Sequence, residues 1–374
     1  MDIHNKNSVS RPVRDDRSIF VSVASYRDEN CPNTLNEMYT KAAHPERLHV
    51  GVVQQNCVAD CTSGVLEGGK TEVVDPDPDC VKTFCLTPEG GVYCGSGQVV
   101  REIFVEESES LGPAIARYIA SKLWMGEQYF MQVDAHSLFE MGWDDTLIRD
   151  MENTPSFPKS VLSHYPPDTK AANAKNMAGL KLCSAAFSAD PLEVGMVRLG
   201  GAMPQGKTPP EIPCPAPFTG AGFIFAHASF LEVMPFDPYL PWVFMGEEIL
   251  LTLRFWTWGY RIYAPTHNVV RHFYIRKHTP KFWETIGRLF GKNGIHTPLM
   301  QQQLQRIKHL CGYPEASRDL VQPESLLTSI DVYGAGDVMT VGDALRYIGL
   351  DPVSKTSTPV TWCINCQSPF QVIQ

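Results

Sequence analysis

Two hydrophobic periods run along the chain. Residues 18–25 (SIFVSVAS) form an apolar run of strand length that ends in small residues. Residues 32–43 then place Leu35, Met38, Tyr39 and Ala42 at helical spacing. Residues 48–55 return to the strand pattern, and this β-α-β order predicts a parallel pair with a right-handed crossover. The alternation resumes with a strand at 100–105, a helix at 112–124 with Pro113 near its start, and a strand at 128–134 (QYFMQVD). A short helix at 143–151 and strands at 160–165 and 222–226 follow. The helix expected at 246–258 spaces Ile249, Leu250, Leu253 and Trp256 to face a core. Residues 261–263 and 268–273 read as the last strands and 301–310 as a closing helix. The fold class is therefore α/β, with a mainly parallel sheet flanked by helices and ligands at the carboxyl ends of its strands.

Three stretches break the pattern. Residues 56–99 carry seven Gly, three Pro and five of the eleven Cys, and read as a long inserted loop. Residues 166–218 are rich in Pro, Ala and Gly and read as an irregular connection. Beyond 313 one short helix is expected at 341–349, followed by a loosely ordered Ser/Thr/Pro-rich end. The expected organisation is a polar arm at 1–16, a domain at 17–312 that carries the insertion, and an extension at 313–374. A domain of this size needs no disulfide staples, so the cysteines are expected as buried free thiols. A zinc site would show paired CxxC units, whereas the sole CxxC is Cys363-Ile-Asn-Cys366.

Charge narrows the partners. The net charge is −9 and no basic stripe is present, which argues against nucleic acid. No run approaches the roughly 18 apolar residues of a membrane span, and the first residues lack the apolar core of a signal peptide. On these grounds the chain is expected in the cytoplasm.

The candidate chemistry sits at a strand end. Asp134-Ala135-His136 follows the apolar run 128–134, and residues two apart on an extended chain point to one side. Asp134 and His136 can therefore reach one ion together, and a carboxylate with an imidazole suits Mn²⁺ better than Ca²⁺. The segment LGPAIARYIASKLWMGEQYFMQVDAHSLFEMGWDDTLI around it resembles the donor-binding core of GT-A glycosyltransferases that carry DxH in place of DxD. Three further stretches match in the same order: IFVSVASYRDENCPNTL; PFTGAGFIFAHASFLEVMPFDPYLPWVFMGEEILLTLRFWTWGYRIYAP; and NVVRHFYIRKHTPKFW. The chain most resembles polypeptide α-N-acetylglucosaminyltransferases that modify hydroxyproline on the Skp subunit of SCF ubiquitin ligases. A more distant likeness runs to mucin-type polypeptide N-acetylgalactosaminyltransferases.

That resemblance implies a GT-A, Rossmann-like fold and roles for individual residues. His272 joins Asp134 and His136 as the third metal ligand, with Mn²⁺ expected. Ser25, Arg27 and Asp28 lie in the segment that meets uridine and ribose, and Arg117 falls near the diphosphate. Gly220 and Gly222 in GAGF pack the donor sugar, and Arg276 adds a cation for phosphate. Glu247 is expected to contact sugar or acceptor, and with Asp134 is the catalytic candidate. Helix-dipole compensation alone would also explain Glu247 and Glu248, and the role of Glu248 stays open. The implied activity is retaining transfer of GlcNAc from UDP-GlcNAc to a protein hydroxyl. The alternatives are a GalNAc or galactose donor, a silent nucleotide-sugar-binding module, and a metal-dependent hydrolase.

Overall fold

The computed structural model describes residues 11–64, 69–95, 99–171, 177–191, 193, 195–275, 279–285 and 296–367. Strand β1 (Ile19–Tyr26) is apolar at nearly every position because both of its faces are covered. Phe20 enters one core while Ile19, Val21 and Val23 enter another on the opposite face. Helix α1 (Cys31–Lys41) lays Leu35, Met38 and Tyr39 into the second core and leads to β2 (Leu48–Asn56). After α2 (Cys80–Cys85) and α3 (Pro88–Cys94) comes β3 (Val100–Glu106). Helix α4 (Pro113–Ser121) places Ala116 and Ala120 against Val53 of β2, small side chains that let the helix lie close.

Strand β4 (Tyr129–Asp134) repeats the two-faced logic of β1 and pairs with it in parallel, Ala24 opposite Asp134. The short β5 (Ser137–Phe139) and helix α5 (Trp143–Glu152) precede β6 (Ser160–Ser163). The stretch expected to be irregular holds two small ladders. These pair β7 (Leu180–Lys181) with β10 (Met203–Pro204), and β8 (Ala185–Phe187) with β9 (Val197–Leu199). Then come β11 (Cys214–Pro215), β12 (Phe223–His227) and α6 (Phe230–Val233). Helix α7 (Glu247–Thr257) buries Ile249, Leu250, Leu253 and Trp256 in the first core, as its spacing predicts. It starts after Gly246, whose φ of +92° would strain any residue with a side chain. Strands β13 (Arg261–Ala264) and β14 (Val270–His272) and helix α8 (His296–Leu310) follow. Among the described residues the central sheet runs β11-β13-β6-β12-β4-β1-β2-β3. Its β1–β4 block is parallel, and β12 inserts antiparallel between β4 and β6.

The cysteine expectation is overturned. Cys31–Cys80, Cys57–Cys61, Cys85–Cys94, Cys183–Cys363 and Cys214–Cys366 are disulfides, and buried Cys311 alone stays free. The inserted segment is accordingly more than a loop. Helix α2 is stapled to α1 by Cys31–Cys80 and α3 to α2 by Cys85–Cys94, and Tyr39 of α1 stacks between Phe84 and Tyr93 at 5.5 and 4.3 Å. A segment with little apolar surface of its own is ordered by cross-links and aromatic stacking instead. The extension as far as residue 367 is not loose either. Tyr347 and Trp362 pack on Trp256, at 5.1 and 6.3 Å between ring centroids, and Cys363 is fully buried. Buried Lys181 donates to the carbonyls of Cys363 and Ile364 at 2.7 and 2.8 Å, which satisfies its charge-bearing head inside the protein.

His164 follows β6 and is fully buried against the Phe223 ring, 5.0 Å away. Burial pushes its pKa down to about 3. The folded protein therefore keeps this ring neutral while the unfolded chain takes up a proton below about pH 6.5. Stability contributed by the neutral ring is lost as pH falls, by about 2 kcal/mol between pH 6.5 and 5. Urea denaturation at the two pH values should show His164→Leu losing about that much less than the wild type. Equal losses would show that this ring is not the source of acid sensitivity.

Candidate active site

The carboxyl ends of β1 and β4 lie side by side, which brings the turn after β1 against the Asp134–His136 segment. Strand β14 pairs antiparallel with β5, His272 opposite Ser137, and so sets His272 next to His136. Asp134, His136 and His272, distant in the chain, each offer a donor atom within 4.8 Å of the others. The two imidazole rings meet edge to face at 4.5 Å, and His272 Nε2 lies 3.1 Å from Asp134 Oδ2. His136 Nδ1 is held by Asp28 Oδ2 at 2.6 Å, which leaves Nε2 as the nitrogen that could meet an ion. One carboxylate and two imidazoles on neighbouring backbone segments fit a divalent ion of the Mn²⁺ or Zn²⁺ type.

Arg117 of α4 joins this group to Glu247 at the start of α7. Its guanidinium donates to Asp134 Oδ1 at 3.0 Å and to Glu247 Oε2. Burial opposes the charge on Asp134. The hydrogen bond from His272 and the positive charge of Arg117 outweigh that and hold the carboxyl well below its ordinary range. Burial raises the Glu247 carboxyl despite Arg117, and the two carboxylates in turn raise Arg117 against its own burial. Glu248 points elsewhere, accepting from Tyr165 Oη at 2.6 Å and the Ala221 N–H at 2.9 Å. It thereby pins the GAG turn beside the site.

A cleft of about 310 Å³ opens over these residues and is lined by Asp28, Arg117, Asp134, His136 and His272. Its far wall comes from Phe244, Phe282 and Trp283. The expected residues are not all placed here. Ser25 is buried below the cleft, its carbonyl accepting from the Gln55 amide at 3.2 Å. Arg27 is a correction. Its buried guanidinium pairs with Asp77 at 2.7 Å and Glu107 at 2.9 Å, so its charge is already matched inside the protein and it does not line the cleft. Glu247 reaches the cleft only through Arg117. Gly220 serves the turn, its N–H donating to Ser163 Oγ at 2.9 Å. Gly222 lies against the Asp134 carboxylate, where a Cβ would sit 3.0 Å from Oδ2. Arg276 lies outside the described residues. The cleft also contains Tyr26, Gln55, Ser110 and Lys281, which the pattern of the chain did not single out. Lys281 follows His272 closely enough to have been considered; the others carry no local signal.

A family model described as Glycosyltransferase (GlcNAc) matches residues 18–354. The chain belongs to this family of GlcNAc glycosyltransferases. The match runs through every segment that builds the site, from β1 to β14, and continues into the region after α8. No curated protein sequence matches this glycosyltransferase. Among solved structures it is similar to GalNAc-T7 with UDP, GalNAc and Mn²⁺, at 14% identity and a TM-score of 0.49. That alignment covers 92% of this chain and 56% of the GalNAc-T7 chain, so the glycosyltransferase spans little more than half of that relative. It is also similar to S. aureus TarS 1-349 in complex with UDP-GlcNAc, at 13% identity and a TM-score of 0.40. That alignment covers 84% of this chain and 79% of TarS.

Proposed function

We propose that this glycosyltransferase moves GlcNAc from UDP-GlcNAc to a protein hydroxyl, with retention and with a divalent ion at Asp134, His136 and His272. The observation that carries the reading is the convergence of those three side chains at the floor of one cleft beside Arg117. A bound ion would supply Lewis-acid stabilisation of charge on the departing diphosphate. Arg117 adds a second positive group next to the same floor, aimed by the carboxylates on either side of it. Asp134 and Glu247 are both engaged by that guanidinium, so neither stands as an unoccupied nucleophile for a double displacement. This favours front-face attack. The acceptor oxygen bonds to the anomeric carbon as the bond to UDP breaks, and a leaving phosphate oxygen takes the hydroxyl proton. Glu247 then acts by holding Arg117 over Asp134.

Hydroxyproline is the acceptor side chain implied by the resemblance, and the Skp subunit is the acceptor protein. Ten disulfide-bonded cysteines favour an oxidising compartment over the cytoplasm, which sets the disulfides against a cytosolic acceptor. Incubation with UDP-GlcNAc, Mn²⁺ and either hydroxylated Skp or a hydroxyproline peptide, followed by intact-mass measurement, tests both points. A gain of one N-acetylhexosamine residue on the acceptor is expected. Faster turnover with UDP-GalNAc or UDP-galactose would overturn the choice of sugar. UDP release that stays directed to water with acceptor present would replace transfer by hydrolysis.

A further inference from the structure

The metal reading above also assigns a task to Asp28, a residue expected at the ribose. Its side chain is 2% exposed and its two oxygens face different ways. Oδ1 accepts from the backbone N–H of Asn30 at 3.0 Å, which closes a tight turn before α1. Oδ2 lies 2.6 Å from Nδ1 of His136. We propose that Asp28 is the positioning residue of the metal centre, orienting the His136 ring and supplying negative charge behind it. The inference rests on the metal-dependent reading of the site.

Two observations carry it. First, the backbone is built to deliver this carboxylate. Arg27 adopts φ of +45°, unusual for a residue with a side chain, and is pinned there by Asp77, Glu107 and the Thr62 carbonyl. The turn so fixed swings Asp28 across the end of β1 towards His136 on the neighbouring strand end. Second, the contact defines the ring. A carboxylate accepts the Nδ1 proton, so the lone pair for an ion sits on Nε2. His272 has no such support, because its Nδ1 is buried without a hydrogen-bond partner among the described residues.

Mn²⁺ binding, read from the electron paramagnetic resonance of the free ion, tests the proposal on the full chain. Asp28→Asn keeps the shape but removes the charge and one of the two acceptor oxygens that serve Asn30 and His136, and is expected to raise the Mn²⁺ dissociation constant roughly 10- to 100-fold. Asp28→Glu should recover part of that loss. UDP affinity measured without metal should not fall in either variant. Mn²⁺ affinity of Asp28→Asn within about twofold of wild type would overturn the proposal, as would a fall in metal-free UDP affinity, which would return Asp28 to the ribose. If Asp28→Asn does not fold, Asp28→Glu decides: a displaced carboxylate should weaken Mn²⁺ detectably, and wild-type affinity would overturn the role. Wild-type protein that takes up no Mn²⁺ would sink the metal-dependent function itself, a distinguishable result.

Discussion

Asp134→Asn should lower UDP release from UDP-GlcNAc at least about a thousandfold, because a metal-assisted step of several kcal/mol is lost. The side chain is nearly isosteric, sits at the end of β4 and has Gly222 pressed against it, so the change removes charge with little change in volume. Its two oxygens serve different partners, Arg117 through Oδ1 and His272 through Oδ2. An amide cannot accept on both sides, so the arrangement fails as a unit. The lost ion pair with Arg117 will also lower the melting temperature, so a native circular dichroism spectrum at the assay temperature separates a chemical loss from a folding loss. His272→Ala should match it in rate, and chelation of the wild type with EDTA should give the same floor. Activity of Asp134→Asn within about tenfold of wild type would show that the three-residue cluster is not the catalytic metal centre.

The second large effect is on stability. Cys183–Cys363 closes a sequence separation of 180 residues and Cys214–Cys366 one of 152. With Cys214–Cys366 still closed, loss of Cys183–Cys363 opens an effective loop of about 34 residues (31 between Cys183 and Cys214, 3 between Cys363 and Cys366), which in the chain-entropy view is about 4 kcal/mol, against about 2 kcal/mol for a loop as short as Cys57–Cys61. Cys183→Ala combined with Cys363→Ala should therefore shift the urea midpoint about twice as far as the paired alanines at Cys57 and Cys61. Thiol titration of the denatured, unreduced protein should find one reactive cysteine, Cys311. Eleven reactive thiols, or equal midpoints for the two double variants, would remove the cross-links from the account of stability.

The sheet and the Asp134–His136 pair carry a local signal in the chain, whereas His272 is reached only through the family resemblance. Both faces of β1 and β4 are buried, so their apolar runs are unbroken. The DxH pair sits at the end of such a run, where extended backbone puts both side chains on one side. The cysteine pairing was not readable. Nothing local connects Cys31 with Cys80 or Cys183 with Cys363; only the folded path of the chain brings them together. The same holds for Arg27. A cation in a polar loop reads as a ligand contact until Asp77 and Glu107, from two other segments, are seen around it. The two ladders between β7 and β10 are too short for a period to show, and the order of the final segment comes from Trp256 and the cross-links rather than from its own composition.

The stitched carboxyl-terminal segment bears on how the protein can be produced in fragments. A recombinant fragment stopped at residue 354, where the family match ends, keeps Cys183 and Cys214 but discards both of their partners. It also leaves buried Lys181 without the carbonyl oxygens that receive its ammonium group, and strips Trp362 from the ring cluster around Trp256. Such a fragment should mispair or precipitate during oxidative refolding even though it contains every proposed metal ligand, so the natural boundary for expression lies beyond Cys366.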